Sequence, residues 1–336
     1  MAKARIAGTG IYAPGKPIDN TELKALAGIE FDVERHETKI GIKRRHIARL
    51  RGLDESSADF AERAGRAALA DAGVDPLDVG LFIVATDTPE YISPATGIVL
   101  QGRLQGGERE SMSLDVGSSC ASFVTALDLA ARRMEADPEL RYALVVGVYD
   151  MPAYIRPGDS FGWSIFADGA GAVLLERTDG KDGRGYVDGV FRSDGTQWNF
   201  VGVYAGGTRK PVTRELLDAG TYGLELIQNL PGDRNVKLWP PLVHRVIEKS
   251  GWTQAKVDHF IFTQINLSVI QKVMDILGEP MSKTTTVMDR FGYTGSGCVP
   301  MALHTAIKEG RVKKGDAIVL VASGAGLAVG ANLIVL

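Results

Sequence analysis

The stretch that decides the fold and the function of this chain is Ser113-Leu114-Asp115-Val116-Gly117-Ser118-Ser119-Cys120-Ala121-Ser122-Phe123. It begins like a short apolar strand, and three small residues then lead to Cys120, just before the helical pattern of Val124 to Met134. A thiol at a strand-to-helix turn faces the positive end of the helix macrodipole and unpaired N–H groups. Because both favour the thiolate, we expect a lowered thiol pKa and a sulfur that attacks thioesters. The alternative is a buried structural cysteine, since free cysteines are among the most buried residue types.

The composition sets modest bounds. The 336 residues include 38 Lys and Arg against 41 Asp and Glu, so the formal net charge is −3. This balance gives no reason to expect nucleic acid or an anionic membrane as a partner. The two cysteines, Cys120 and Cys298, are far apart in sequence and form neither a metal-binding nor a disulfide pattern. We therefore expect a cytoplasmic protein without a metal site, and no targeting signal at its N-terminus.

The last twenty residues need separate treatment because Ala317 to Leu336 contains no charged residue. A run of this length is long enough for a membrane-spanning helix. However, Ser323-Gly324-Ala325-Gly326 interrupts the run, and β-branched residues are frequent on both sides. The pattern favours two buried strands joined by a glycine turn.

Strand-like and helical segments alternate along the chain. Gly80 to Thr86 and Tyr142 to Val148 are typical of strands, whereas Asp54 to Ala72 and Pro94 to Leu104 are typical of helices. This alternation predicts an α/β fold with largely buried sheets.

The two halves of the chain also resemble each other. Val79 to Thr86 has a counterpart in Val257 to Gln264, and Leu114 to Leu129 has one in Val287 to Ile307. The elements follow in the same order each time, which predicts two related units that share one core. We expect an N-terminal half at residues 1–178 and a C-terminal half at 179–336, with an insertion at about 191–231.

Four motifs together resemble β-ketoacyl-ACP synthase III of the thiolase superfamily. They are the Cys120 stretch, Phe166 to Ala172, Ile6 to Gly10 and Gly41 to Ala48, and they follow one another over almost the whole chain. The resemblance implies the duplicated, five-layer αβαβα thiolase fold and a homodimer. It further implies that Cys120 accepts an acyl group from acyl-CoA or an acyl-carrier thioester, without a permanently bound cofactor.

Two departures from this family concern the residues that support decarboxylation. The family carries a His in Pro-His-Gln-Ala-Asn, where this chain has Phe262-Thr263-Gln264-Ile265-Asn266, and an Asn in Gly-Asn-Thr-Ser, where this chain has Gly292-Tyr293-Thr294-Gly295. In the family this His and Asn stabilise the enolate formed by decarboxylation. Thr263 and Tyr293 can donate hydrogen bonds but lack a titrating imidazole. Since one lost donor of this kind typically costs about 3–4 kcal/mol, we expect decarboxylative condensation to be very slow.

None of the five histidines is an obvious replacement, so a carboxylate is the next candidate for a base. Asp87 ends a strand in Val84-Ala85-Thr86-Asp87-Thr88, which resembles Val-Ala-Thr-Glu-Ser of the related HMG-CoA synthases, where the Glu is a general acid/base. The alternative role of Asp87 is an Asx turn or helix cap. Glu90 on the same loop is a weaker candidate.

The resemblance also implies further site residues. The oxyanion N–H groups are those of Cys120 and Gly326, the latter from the Gly324-Ala325-Gly326 turn. Arg35 and Lys39 match the Trp and Arg that hold the adenine of CoA, whereas Ser160 and Ser268 replace two phosphate-binding arginines. The predicted acceptor pocket consists of Thr263, Tyr293, Asn266, Phe291 and Trp163, together with Phe161.

Two hypotheses about function follow. In the first, the chain is a synthase III-like acyltransferase that loads an acyl group on Cys120 and passes it to a small-molecule hydroxyl, amine, thiol or activated carbon. In the second, it is a non-catalytic or partly catalytic subunit of a heteromeric acyl-transfer complex. The missing His favours the second hypothesis, and the intact small-residue turn around Cys120 favours the first.

Overall fold

The computed structural model describes residues 3–336. Within this range the strands are β1 (Lys3–Tyr12), β2 (Ile18–Asp19), β3 (Arg44–Arg45), β4 (Val79–Ala85), β5 (Met112–Val116), β6 (Tyr142–Tyr149), β7 (Gly169–Thr178), β8 (Gly185–Gln197), β9 (Val201–Val203), β10 (Leu224–Leu226), β11 (His259–Phe262), β12 (Ala317–Gly324) and β13 (Gly326–Val335). The helices are α1 (Asn20–Ala27), α2 (Val33–Arg35), α3 (Ser57–Ala72), α4 (Thr96–Gln105), α5 (Ser122–Ala136), α6 (Ser160–Ile165), α7 (Arg214–Asp218), α8 (Arg234–Lys249), α9 (Leu267–Leu277), α10 (Met288–Phe291) and α11 (Cys298–Lys308).

Two mixed sheets form the framework. The first has the order β1-β7-β6-β4-β5, in which β4 runs parallel to both β5 and β6 while β7 is antiparallel to β6 and β1. The second has the order β8-β13-β12-β11, in which β11 and β12 are parallel and the other pairs antiparallel. At the β11 edge of the second sheet, Phe260 forms a parallel bridge with Thr284. Thr284 therefore occupies the position that β5 has in the first sheet. The same strand order in both sheets confirms the predicted duplication.

The helices form three layers around these sheets. α3 and α4 pack on the outer face of the first sheet, and α8 packs on the outer face of the second, with α9 against α8. α5 and α11 lie between the sheets and contact strands of both. The result is the αβαβα arrangement expected from the sequence. Because α5 is covered from both sides, Phe123, Val124 and Leu127 have no accessible surface.

Local predictions from the sequence agree with the structure, with two differences. The predicted strands and helices of the first half correspond to β4, β6, α3, α4 and α5. α8 continues through Pro240 and Pro241, although a proline in a helix interior normally kinks or ends the helix. Residues 191–197 continue β8 and pair with β13, so the expected insertion is irregular only after Gln197. The division at 178/179 lies between β7 and β8 and stays a prediction.

The uncharged C-terminal run forms β12 and β13, two buried antiparallel strands, as the glycine turn predicted. Among the helices of residues 3–336, none combines the length and the apolar character that crossing a membrane requires.

Candidate active site

Cys120 lies in the turn between β5 and α5, at the N-terminal side of the central helix. The Ser122 hydroxyl accepts a hydrogen bond from the Ser118 N–H at 2.8 Å and donates one to the Ser119 carbonyl at 2.5 Å. Ser119 itself has a φ of 48°, a left-handed conformation that non-glycine residues rarely adopt. Such strained residues concentrate at functional sites because the surrounding structure must hold them.

The thiol faces a cavity of about 570 Å³. Cys120 is partly exposed, and its accessible surface belongs to the cavity wall. Most of that wall is apolar, including Phe161, Phe166 and Val269. A cavity of this size beside a reachable sulfur distinguishes Cys120 from Cys298, which is fully buried and accepts a hydrogen bond from the Gln264 N–H at 3.4 Å.

The end of β12 approaches the Cys120 turn so closely that only glycine fits at Gly324. A Cβ there would lie 2.5 Å from the Ser118 carbonyl oxygen and 2.8 Å from the Cys120 nitrogen. Gly324 and Ala325 both line the cavity, whereas Gly326, the predicted second oxyanion donor, is not part of its wall. Gly326 begins β13 and pairs with β8, and its role as an oxyanion donor stays a prediction.

Two tyrosines surround the sulfur, one of which sequence analysis missed. Tyr293 and Tyr149 line the cavity together with Cys120, and both act on the pKa of its thiol. Tyr149 is the last residue of β6, the strand next to β4, and its ring packs against Tyr293 with centroids 6.3 Å apart. The position of Tyr149 in the sequence could have indicated its place in the site, since parallel strands such as β4 and β6 bring their carboxyl ends to the same edge of the sheet.

The electrostatics of the thiol differ from the expectation. Burial and the nearby Asp87 carboxylate raise the pKa of Cys120 well above its ordinary value, while hydrogen bonds from Tyr293 and Tyr149 lower it only in part. The predicted lowering is therefore wrong, because loss of water around the thiolate outweighs the helix N-terminus. The surroundings of Cys120 thus favour the thiol over the thiolate.

Asp87 lies just beyond β4, on the cavity wall beside Ser119 and Cys120. Asp87 keeps exposed surface, and desolvation by the neighbouring protein raises the pKa of its carboxyl to about 6, opposed by a hydrogen bond with the Ser119 side chain. A carboxylate with such a pKa is ionised at neutral pH and can accept a proton. Glu90 has a different role: its carboxylate accepts hydrogen bonds from the Ser56 hydroxyl and the Ala58 N–H at the start of α3.

Thr263 and Asn266 line the cavity as predicted, but their oxygens are already engaged. The Thr263 hydroxyl accepts a hydrogen bond from the Ser323 N–H at 3.1 Å. The Asn266 side-chain oxygen caps α9 by accepting from the Val269 N–H at 3.3 Å. The Thr263 hydroxyl hydrogen and the Asn266 amide hydrogens remain as donors toward the cavity.

Two other predicted pocket residues lie outside the cavity wall. Trp163 is buried on the inner face of α6, where its ring N–H donates to the Arg156 carbonyl at 3.1 Å. Phe291 packs against His46, with ring centroids 5.8 Å apart. Of the predicted aromatic residues, Phe161 and Tyr293 contribute to the wall.

No histidine lines the cavity in the described part of the chain. His46 contacts the Pro14 carbonyl, His259 the Thr285 hydroxyl and His304 the Thr9 hydroxyl. The predicted carrier-binding residues Arg35 and Lys39 are exposed on the α2 turn and the turn that follows it, which ends at the cavity-lining residue Ile40.

This architecture places the chain in the thiolase fold class, and comparisons with solved structures agree. A 3-oxoacyl-[acyl-carrier-protein] synthase III from Aquifex aeolicus VF5 superposes with a TM-score of 0.85 at 27% identity, covering 99% of this chain and 100% of that one. The priming β-ketosynthase of the R1128 polyketide pathway gives 0.87 at 27% identity, covering 99% and 96%.

Family models and relatives define the family more narrowly. Residues 114–195 match the 3-oxoacyl-[acyl-carrier-protein] synthase III model, and residues 247–336 match its C-terminal model. The β-ketoacyl-[acyl-carrier-protein] synthase III of Alkalilimnicola ehrlichii is 33% identical over 99% of both chains, and that of Solibacter usitatus is 30% identical over 99% of this chain and 98% of its own. The chain belongs to the β-ketoacyl-ACP synthase III family, a group of acyl-transferring condensing enzymes.

Proposed function

We propose that this protein is an acyltransferase that loads an acyl group from a thioester onto Cys120 and passes it to a hydroxyl, amine, thiol or activated carbon. The observation that carries the proposal is that Cys120 and Ala325 line the same cavity, where Gly324 closely approaches the Cys120 backbone. Within residues 3–336, the N–H groups of Cys120 and Ala325 donate to no backbone carbonyl of the turns that contain them. Both are therefore available to an acyl oxygen, as an oxyanion hole requires.

The loading step is thioester exchange. The Cys120 sulfur forms a bond to the acyl carbon, the bond from that carbon to the carrier sulfur breaks, and the thiol proton goes to the departing carrier sulfur. The carbonyl oxygen is stabilised meanwhile by the N–H groups of Cys120 and Ala325. The donor is acyl-CoA or an acyl-carrier thioester, and Arg35 and Lys39 near the cavity are proposed to meet it.

The transfer step needs a base, and Asp87 is the proposed one. Its carboxylate accepts the proton of the acceptor as that nucleophile attacks the acyl carbon. The sulfur of Cys120 leaves as a thiolate, which the hydroxyls of Tyr149 and Tyr293 stabilise until Asp87 returns the proton. The products are the acylated acceptor and the free thiol.

Decarboxylative condensation is not part of the proposal because Thr263 and Tyr293 stand at the family's His and Asn positions. The Thr263 hydroxyl accepts from the Ser323 N–H and keeps one hydrogen to donate, but neither residue supplies a nitrogen donor or a titrating imidazole. Each missing donor of this kind costs about 3–4 kcal/mol of transition-state stabilisation. The neutral Cys120 thiol and the absence of a cavity-lining His among the described residues support the second candidate, a partly catalytic subunit that a partner completes.

An intact-mass experiment separates these two candidates. The purified protein and its Cys120→Ala variant are incubated with acetyl-, hexanoyl- and octanoyl-CoA. We expect a mass increase of one acyl group in the wild type and none in the variant. A wild type that takes up no acyl group from any donor would contradict the acyltransferase and favour the partly catalytic subunit.

We further propose that the protein is a homodimer in the cytoplasm, without a resident cofactor. Size-exclusion chromatography with light scattering tests the oligomeric state.

A further inference from the structure

Part of the cavity wall carries polar groups that the acyl-transfer steps do not use. Arg234 is the single cationic side chain that lines the cavity within residues 3–336, and it lies in the first turn of α8. Asn235 beside it and Asn229 before the helix line the cavity too. Most of the remaining wall is apolar, so a charged side chain at this position requires an explanation.

The guanidinium of Arg234 is only partly satisfied by the protein. Its Nη2 donates to the Gln197 side-chain oxygen at 2.8 Å, whereas Nε is buried without a partner. No carboxylate of the described chain lies within 4.0 Å of it as a salt-bridge partner. The nearest acid in its surroundings, Asp194, instead accepts from Thr196 and Gln197. A half-buried guanidinium with one neutral partner has donors left for an anion.

A row of polar groups connects Arg234 with the acyl site. The Asn235 side-chain oxygen accepts from the Ser323 hydroxyl at 3.0 Å, and the Ser323 N–H donates to the Thr263 hydroxyl. This bonding directs the Asn235 amide hydrogens away from Ser323 and leaves them available. Ser323 precedes Gly324, which contacts the Cys120 turn. A substrate can therefore reach from Arg234 to Cys120 within one cavity.

We propose that Arg234, assisted by the Asn235 amide, binds a carboxylate of the substrate, so that one of the two reactants is an anionic acid. The inference rests on the proposed acyl transfer and names its substrate class. A guanidinium fork matches the two oxygens of a carboxylate. Asp87 is the single acidic residue on the cavity wall of the described chain, and it lies near Cys120. Because its charge repels a carboxylate, we expect the carboxylate end of the substrate at Arg234 and the reactive end at Cys120.

The carboxylate has two possible sources, the distal end of a dicarboxylic acyl chain or the acceptor. The first arm of the test compares kcat/KM for loading from glutaryl-CoA and from pentanoyl-CoA, which has the same number of acyl carbons. The second arm compares 4-hydroxybutyrate with 4-hydroxybutyramide as acceptors for the pentanoyl-enzyme. The third arm measures glutarate and glutaramide binding to the unacylated protein by calorimetry, which requires no turnover.

Each arm uses wild type, Arg234→Gln, Arg234→Lys and the control Arg209→Gln, whose side chain is exposed outside the cavity wall. We expect Arg234→Gln to weaken glutarate binding about 10-fold or more, and to lower kcat/KM for one of the two acidic reactants by a similar factor, as for a lost charge-assisted hydrogen bond. Binding of glutaramide and kcat/KM for the neutral reactants should stay the same. Arg234→Lys should retain part of the preference, and Arg209→Gln all of it. The kinetic arm in which Arg234→Gln abolishes the preference for the acidic reactant shows whether the carboxylate belongs to the acyl chain or to the acceptor.

Equal binding of glutarate and glutaramide by the wild type, with no acid preference in either kinetic arm, would overturn the assignment. So would an Arg234→Gln variant that loses acid and neutral substrates equally. If no thioester loads Cys120, the proposed acyl transfer fails, while the calorimetric arm still decides the anion site. The two failures are thus distinguishable.

Discussion

At the scale of the residue, the chemistry of Cys120 depends on neighbours that are distant in sequence. Burial and Asp87 raise the pKa of its thiol, whereas Tyr149 and Tyr293 lower it in part. Groups that stabilise the thiolate assist both its attack on a thioester and its departure from the acyl group. The same neighbours make Cys120 a poor target for adventitious oxidation, which requires an accessible thiolate.

The Asp87→Asn variant tests the proposed base. Acyl loading from hexanoyl-CoA should proceed as in the wild type, whereas transfer from the acyl-enzyme should slow by about 100-fold or more, as expected for loss of a general base. Because the base acts when ionised and its pKa is about 6, wild-type transfer should fall as the pH drops below 6, and the variant should lack this dependence. Single-turnover mass spectrometry from pH 5 to 8 measures both steps.

The control for this test is Asp275→Asn, which removes an exposed carboxylate from α9. It should leave loading, transfer and the pH profile unchanged. Normal transfer by Asp87→Asn, with the decline below pH 6 preserved, would rule out Asp87 as the base and leave it the local role of a turn-forming aspartate.

At the scale of the element, the site exists because two turns from opposite halves meet. The turn between β5 and α5 supplies Cys120, and the turn between β12 and β13 supplies Ala325. Gly324 permits this contact, since any side chain there would meet backbone atoms of the other turn that cannot move aside. The proposed oxyanion hole therefore depends on the contact between two elements from different halves of the chain.

The Gly324→Ala variant should separate these turns. Its Cβ would lie 2.5 Å from the Ser118 carbonyl oxygen, so the β12 turn must shift away from Cys120. A displacement of about 1 Å in a catalytic group costs on the order of 100-fold, and we expect loading of Cys120 to slow by about that factor. Stopped hexanoyl-CoA reactions analysed by intact mass measure the rate.

Gly102→Ala is the matched control, because a Cβ at Gly102 in α4 has no neighbour within 4 Å. Loading should be unchanged, and the free energy of unfolding should rise by about 0.5–1 kcal/mol since alanine favours helix over glycine. Unimpaired loading by Gly324→Ala would show that the contact between the two turns does not position the acyl oxygen.

At the scale of the whole molecule, the two halves share one core. α5 belongs to the N-terminal half but contacts β8, β12 and β13 of the second sheet, while α11 from the C-terminal half contacts β1, β6 and β7 of the first. Removing either half would expose a face of the other half's central helix. Each large apolar side chain exposed in this way costs about 1.5–3 kcal/mol.

A fragment of residues 1–178 should therefore not fold stably alone. We expect it to lack a cooperative thermal transition by circular dichroism and to be degraded by protease much faster than the full chain. The reason is that α5 buries Phe123, Val124 and Leu127 within a core that both sheets cover. A sharp unfolding transition in the fragment would mean that the N-terminal half is an independent folding unit.

Much of this could be predicted from local sequence because strands, helices and small-residue turns are encoded by short-range patterns. The α5 helix, the duplicated order of elements and the two strands of the C-terminal run are examples. The insertion was predicted to start at about residue 191, seven residues before the segment becomes irregular after Gln197, since nothing local marks where β8 leaves β13. Thr263 and Asn266 were placed at the site through their motif, and Tyr149 was missed because it belongs to no motif.

The amino-acid sequence by itself determined the α/β class, the duplication and the turn that presents Cys120, because periodicity and small residues act over a few positions. Only the tertiary structure decided the surroundings of the Cys120 thiol, the presence of Ala325 on the cavity wall, and the placement there of Arg234, the one cationic residue that residues 3–336 contribute to that wall. Burial, charge proximity and the free space of a cavity arise from contacts between residues that lie on different elements. Such contacts leave no periodic trace in the chain.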